Sequence, residues 1–476
     1  MRRLPFRRRP VSLRMPLPRE RIVPFIVAVA LFMENMDSTV IATALPAIAA
    51  DIGTSPIELK LAITSYLLAL AIFIPMSGWM ADRFGARTIF RSAIVVFVAG
   101  SILCAISGAL WHFVLARFLQ GMGGAMMSPV GRLVLVRSVD KSRLVDAMAL
   151  VTLPALIGPL LGPPLGGFIT TFASWHWIFL INVPIGVIGF ALVTAFVDNV
   201  KSDVPEPFDT AGMALVALGI GGLAFGATVS TVAFVPTWVA ATLLGLGAVA
   251  TAAYVAYSRR VANPVMDLTL FALPTFRAGV AGGFVFRMGA GALPFLMPLM
   301  LQIGFHMTPF ESGLVTFATA IGAMVMKTLV PKILRRFGFR ATMTVNALLA
   351  GVTIGAPALF TPSTPVWIMI AVLLVGGLFR SLQFTSINTI AFAEVDPRRM
   401  SRATSLTSVS QQLSVSAGVT VGALALETAM ALRGDAALSA ATFPPAFMTI
   451  ALLSASATLL FAMMPKDAGA EMAQRK

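Results

Sequence analysis

Charge and reactive side chains are scarce in this chain. Of its 476 residues 12% are charged, three are histidine, three are tyrosine and one is cysteine. Soluble domains carry about 25% charged residues, so the composition excludes a disordered chain and nearly every soluble enzyme. The single Cys104 excludes an intramolecular disulfide. No Cys/His cluster offers a metal site, and no nucleophile–base constellation suggests an enzyme. The run GMGGAM at 121–126 lacks the full GxGxxG pattern and a preceding strand, so no nucleotide cofactor is expected.

Apolar residues are abundant instead: 58% of the chain is hydrophobic and the mean hydropathy is +0.89. A helix needs about 20 such residues to cross a ~30 Å hydrocarbon core. Fourteen apolar segments are long enough, near 22–46, 59–81, 88–110, 111–136, 146–171, 175–197, 210–229, 235–258, 276–302, 309–331, 341–360, 365–392, 403–428 and 443–464. The 39 Gly and 30 Pro suit this class, because membrane-spanning helices tolerate both.

The net charge of +15 has a topological reading. If the N-terminus is cytoplasmic, 28 of the 35 Lys and Arg fall on cytoplasmic tails and loops, and Lys60 and Arg433 alone fall outside. An even number of spans with both termini cytoplasmic is therefore expected, in the cytoplasmic (inner) membrane, with no nucleic-acid partner. The first 21 residues hold eight Arg. They read as a retained basic tail able to meet anionic lipid rather than a cleaved signal peptide.

A weak repeat divides the chain. ADRFGAR (81–87) and LRRFGFR (334–340) each follow a Gly-rich apolar segment. The expected organisation is a basic tail 1–21, a six-helix bundle 22–197, an acidic linker 198–209, two extra spans 210–258, a loop 259–275, a second six-helix bundle 276–464 and a tail 465–476. Duplicated bundles of this kind typify secondary transporters, whose substrate site lies between the halves.

Five segments carry a family resemblance. GWMADRFGARTIF (78–90), LARFLQGMGGAMM (115–127), PALIGPLLGPPLGG (154–167), MDSTVIATALP (36–46) and ASWHWIFLINVPIG (173–186) resemble motifs of the major facilitator superfamily. The match is to fourteen-span drug:proton antiporters of the EmrB/QacA type, and among them the MdtD-like multidrug transporters. Ala86, Ala42 and His176 depart from the family pattern.

The resemblance implies an all-α major facilitator fold with two extra central spans. It also implies proton-coupled export of amphiphilic, cationic or neutral compounds, powered by the proton gradient without a cofactor. Partners would be the small-molecule substrates, protons and membrane lipids. A monomer is expected, and the short outer loops give no sign of a periplasmic adaptor.

The charges inside the spans are the candidate machinery. Glu34 and Asp37 share one face of the first span at i, i+3 spacing. Two neighbouring carboxylates in low dielectric resist ionising together, as a proton-coupling site requires. A structural pair held by hydrogen bonds is the alternative. The resemblance gives Arg117 a part in proton transfer or in setting the acidity of those carboxylates. Arg287 and Arg380 belong to no motif and suit either an anionic substrate group or a charge network. They support a rival reading, an exporter of an anionic metabolite or acidic drug. A non-transporting sensor or scaffold is a weaker rival, since no sizeable soluble domain exists.

Two further motifs concern movement. In the family, the loop with Gly78, Asp82, Arg83, Gly85 and Arg87 ties helix ends together when the protein faces outward. Gly158, Pro159, Gly162, Pro163, Gly166 and Gly167 crowd the fifth span and predict a bent, closely packed hinge.

Overall fold

A computed structural model describes residues 19–139, 144–201, 207–232 and 234–472. The basic tail 1–18, part of the acidic linker and the last four residues lie outside the described residues.

The described chain is almost wholly helical. Each of the fourteen apolar segments coincides with a long helical segment: α1 Ile22–Asp51, α2 Lys60–Phe84, α3 Ala86–Ala105, α4 Leu110–Ser138, α5 Leu144–Phe172, α6 His176–Phe196, α7 Thr210–Val229, α8 Thr237–Ser258, α9 Pro274–Gly304, α10 Pro309–Phe337, α11 Phe339–Leu359, α12 Val366–Ile390, α13 Pro397–Arg433 and α14 Ala440–Ala462. Among the described residues twelve of these are long and apolar enough to cross a membrane. The other two are α4 and α5, each 29 residues long, or ~43 Å at 1.5 Å per residue. Three arginines, Arg117, Arg132 and Arg137, interrupt the apolar run of α4. Helices dominate because every backbone N–H and C=O finds its partner within the segment, which hydrocarbon surroundings demand.

Packing repeats with an offset of eight helices. In the first half α1 packs on α5, α2 on α4 and α3 on α6; in the second half α9 packs on α13, α10 on α12 and α11 on α14. The halves meet along α2–α13 and α5–α10, two joints that the same offset exchanges. Between them in sequence, α7 and α8 form a hairpin that leans on α2 and touches α13 through α7.

The bundle has two unlike ends. Residues 84–86, 258–274, 337–339 and 390–400 lie at the end rich in Arg, here called the basic end. Residues 51–60, 172–176, 304–309 and 433–440 lie at the opposite end. Among the described residues three polar links join the halves at the opposite end. The Gln302 side chain donates to the Thr43 carbonyl at 2.9 Å, the Phe310 amide donates to the Thr171 hydroxyl at 3.1 Å, and Lys60 pairs with Glu427. Lys60 is wholly buried and also donates to Thr231 beyond α7, so the hairpin shares in this closure.

At the basic end, Asp267 in the loop before α9 ties that loop to α13. It accepts from Arg399 at 2.7 and 3.1 Å and from the Thr269 amide at 3.1 Å and hydroxyl at 2.6 Å. Burial works to raise the Asp267 carboxyl, but the Thr269 and Arg399 hydrogen bonds outweigh it and hold the group below its usual range. A depressed carboxylate stabilises the fold above its unfolded pKa of about 3.9 and loses that contribution as pH falls through the folded value. Asp267→Asn should therefore melt lower than wild type at pH 6. The gap should narrow in scans toward pH 3.5, and a constant gap would show that the carboxylate charge is irrelevant.

Candidate functional site

Polar side chains in the middle of apolar helices collect at one place in the first half. Asp37 of α1 and Arg117 of α4 are each 1% exposed and form an ion pair, Nη1 to Oδ2, at 2.7 Å. Removing both charges from water is costly, and only a well-formed pair with further hydrogen bonds repays it. Those bonds are present. Gln120 Nε2 donates to Asp37 Oδ1 at 2.7 Å, and Asn182 Nδ2 of α6 donates to the same oxygen at 2.9 Å. Gln120 Oε1 accepts from Arg117 at 2.5 Å. The Ser101 hydroxyl of α3 accepts from Gln120 at 2.8 Å and from Asn182 at 3.2 Å. The guanidinium lies over the Tyr66 ring, 4.3 Å from its centroid, an arrangement that adds cation–π attraction. Side chains of α4 and α6 thus bond one carboxylate of α1, Ser101 of α3 braces two of them, and α2 supplies the ring.

Glu34 sits one turn away from Asp37 with a different partner. Its Oε2 accepts from the Ser128 hydroxyl of α4 at 2.8 Å, and the group is half-buried. The structure therefore brings Asp37 and Arg117 together, while Glu34 keeps a neutral partner. Sequence reasoning missed Ser101, Gln120 and Asn182 as members of the network. The signal was available, because each is a hydrogen-bonding residue inside a long apolar run.

Arg287 and Arg380 lie in the second half, bonded to neutral oxygens. Arg287 donates to Asn388 Oδ1 at 2.5 Å; Arg380 donates to the Gly376 carbonyl at 3.2 Å and the Thr319 hydroxyl at 3.1 Å.

The loop motif is anchored within the first half. Asp82 accepts from Arg137 at the end of α4 at 2.6 Å, while Arg83 is exposed and Arg87 half-buried. Gly85 has φ +99°, and a Cβ there would fall 2.1 Å from the Asn199 side chain, so both conformation and space demand glycine. Gly78 faces open space.

The glycines of α5 permit close packing on two partners. A Cβ at Gly158, Gly162 or Gly166 would meet α1, the closest atoms being the Phe32 carbonyl at 3.0 Å, the Thr39 hydroxyl at 2.0 Å and the Val40 carbonyl at 2.5 Å. At Gly167 it would meet the Pro309 carbonyl of α10 at 2.3 Å. Pro154, Pro159, Pro163 and Pro164 all lie within this one continuous helix. Gly167→Ala should cost about 1–3 kcal/mol by overpacking the joint, whereas Gly78→Ala, inside a helix and facing open space, should keep or slightly raise the melting temperature. Thermal unfolding of both variants checks this, and equal effects would refute the assignment of the joint.

The chain is similar to known proteins over nearly its whole length. A family model described as Major Facilitator Superfamily matches residues 27–418 and 279–475. Proteins named for multidrug resistance, MdtD, from Salmonella typhimurium (strain LT2) and Salmonella paratyphi B are each 38% identical over 447 residues, 93% of this chain and 94% of theirs. Among solved structures, an auto-inhibited POT family peptide transporter aligns with a TM-score of 0.68 at 18% identity, covering 93% of this chain and 96% of that one. A D-xylose-proton symporter aligns with a TM-score of 0.68 at 14% identity, covering 95% and 99%. At such identities the two structures speak to the fold alone.

Proposed function

The chain belongs to the Major Facilitator Superfamily and is a multi-pass inner-membrane transporter rather than an enzyme, and from that premise we propose that it exports amphiphilic small molecules in exchange for protons. The name of the Salmonella relatives supplies the substrate class, multidrug compounds. The observation that carries the coupling is the buried Asp37–Arg117 pair with its three neutral partners.

A proton arriving at Asp37 cancels the carboxylate charge and with it the attraction that holds Arg117. The uncompensated guanidinium then favours whichever arrangement of the halves offers it water or another acceptor. Loss of the proton restores the pair. Glu34, whose hydrogen-bond partner among the described residues is the Ser128 hydroxyl, is the second carboxylate available to a proton or to a cationic group. The halves 22–197 and 276–464 rock against each other along α2–α13 and α5–α10, with the basic end cytoplasmic. The proton gradient supplies the energy, and no cofactor is needed.

The test uses proteoliposomes with an interior pH dye and no imposed gradient. Addition of lipophilic cations, neutral amphiphiles and organic anions should move protons for at least one class. Transport of a labelled compound without any proton movement would overturn the coupling.

A further inference from the structure

Tyr66 of α2 carries a hydroxyl that the Asp37–Arg117 network does not use. The residue is 2% exposed, and its hydroxyl oxygen is buried with no hydrogen-bond partner among the described residues. Buried polar groups normally find partners, and one left without costs stability. A phenylalanine would lay the same ring under Arg117 at no such cost. The hydroxyl therefore points to a partner that it meets in another arrangement of the site.

Its position says which partner. The α2 backbone is pressed close to α4 here, since a Cβ at Gly121 would lie 2.6 Å from the Tyr66 carbonyl. The ring face carries the Arg117 guanidinium. The hydroxyl end lies beside Glu34: a Cβ at Gly124 would fall 3.2 Å from the hydroxyl oxygen and 3.7 Å from Glu34 Cγ, so the space of one side-chain atom separates the two. Glu34 now rests on the Ser128 hydroxyl, with Arg132 four residues further along α4. Arg117 Nε is a second buried donor with no partner among the described residues. Two unused donors near one carboxylate are complementary to it.

We propose that Tyr66 is a positioning residue of the coupling step. When Asp37 takes up a proton and releases Arg117, the Glu34 carboxylate turns from Ser128 to accept from the Tyr66 hydroxyl. Held there, it receives the guanidinium that Asp37 has given up. The proton stays on Asp37, and the buried cation keeps one anionic partner throughout. The replacement is incomplete, because Glu34 leaves Ser128 and Arg132 behind. The inference rests on the exchange reading and names the acceptor that reading requires for Arg117.

The first test needs no substrate. Asp37→Asn stands in for the protonated carboxyl. Unfolding of the full chain in maltoside micelles is followed by the rate at which a thiol-reactive dye labels the buried Cys104. In the wild-type background Tyr66→Phe should leave that rate unchanged or lower it, because only an unpartnered hydroxyl is lost. In the Asp37→Asn background the same substitution should raise it about tenfold, the worth of one hydrogen bond to a charged group. Glu34→Gln should likewise act more strongly in that background than in wild type. Equal effects of Tyr66→Phe in both backgrounds overturn the proposal. Tyr66→Phe alone gives a second reading in proteoliposomes, whether or not Asp37→Asn folds. It should bind a labelled lipophilic cation with wild-type affinity and move protons about tenfold more slowly. Proton movement at the wild-type rate also overturns the proposal. Absence of substrate-driven proton movement in wild type defeats the exchange reading instead, and the reversal in Cys104 labelling would still show Glu34 and Tyr66 receiving Arg117.

Discussion

Arg117→Met is expected to lower the stability of the folded protein by about 3–5 kcal/mol, the cost of leaving one member of a buried ion pair uncompensated. Asp37→Asn should cost a similar amount, because Arg117 is then the unpaired charge. The double variant Asp37→Asn/Arg117→Met should be more stable than the sum of the two losses implies, since no buried charge is left over. All three should lose substrate-driven proton movement. Cys104 provides the readout: it is the sole cysteine, is fully buried beside Gln120, and becomes open to a thiol-reactive dye only on unfolding. Single variants within about 1 kcal/mol of wild type would mean that the pair is not held as described. Persistent coupling in Asp37→Asn would move the proton site to Glu34.

How far this network could be read from the sequence depends on the kind of residue. Asp37 and Arg117 announce themselves, because a charge within an apolar segment must have a partner and the costs of lacking one are high. The family resemblance set Arg117 among the first-span carboxylates, but which of the two it pairs with was not legible, as 80 positions separate it from Asp37 and helix rotation decides which side chains meet. The i, i+3 spacing placed Glu34 beside Asp37 and suggested mutual repulsion, yet neighbouring helices offered each carboxylate a partner of its own. Gln120, Asn182 and Ser101 are ordinary polar residues whose importance comes only from facing inward together. The existence and order of the helices were legible: each of the fourteen apolar segments coincides with a helix, with ends that differ by up to six residues, because hydrocarbon thickness and backbone hydrogen bonding leave little freedom. The α5 motif announced close packing but not its targets, α1 and α10.

Glu427→Gln is expected to open the end of the bundle opposite the basic loops. Lys60 is wholly buried, and its ammonium is held by Glu427 and Thr231. Removing the carboxylate leaves that ammonium uncompensated, a penalty of about 3–5 kcal/mol borne only while the halves are closed there. Each 1.4 kcal/mol is a factor of ten in an equilibrium, so the open form should rise by at least tenfold. A cysteine at Thr43, whose carbonyl accepts from Gln302 across the same seam and whose side chain is fully buried, reports the change in a Cys104→Ser background. Its labelling by a membrane-impermeant maleimide should accelerate by roughly the same factor. Lys60→Met combined with Glu427→Leu should restore slow labelling, because an apolar pair of similar size closes the seam without a charge. Unchanged labelling in Glu427→Gln would show that the pair does not hold the ends together.

The hairpin of α7 and α8 gives this seam a mechanical connection to the lipid. Its tip reaches both halves, through Thr231 to Lys60 and through Thr228 to Thr420 of α13 at 2.9 Å. Most of α8 faces outward: 22% of its apolar window is buried. A bilayer thinner or thicker than the hairpin's apolar length tilts such helices at a cost of fractions of a kcal/mol per Å of mismatch. That torque is delivered by two threonines to the place where the halves close. Membrane thickness thereby becomes a load on the opening of the seam.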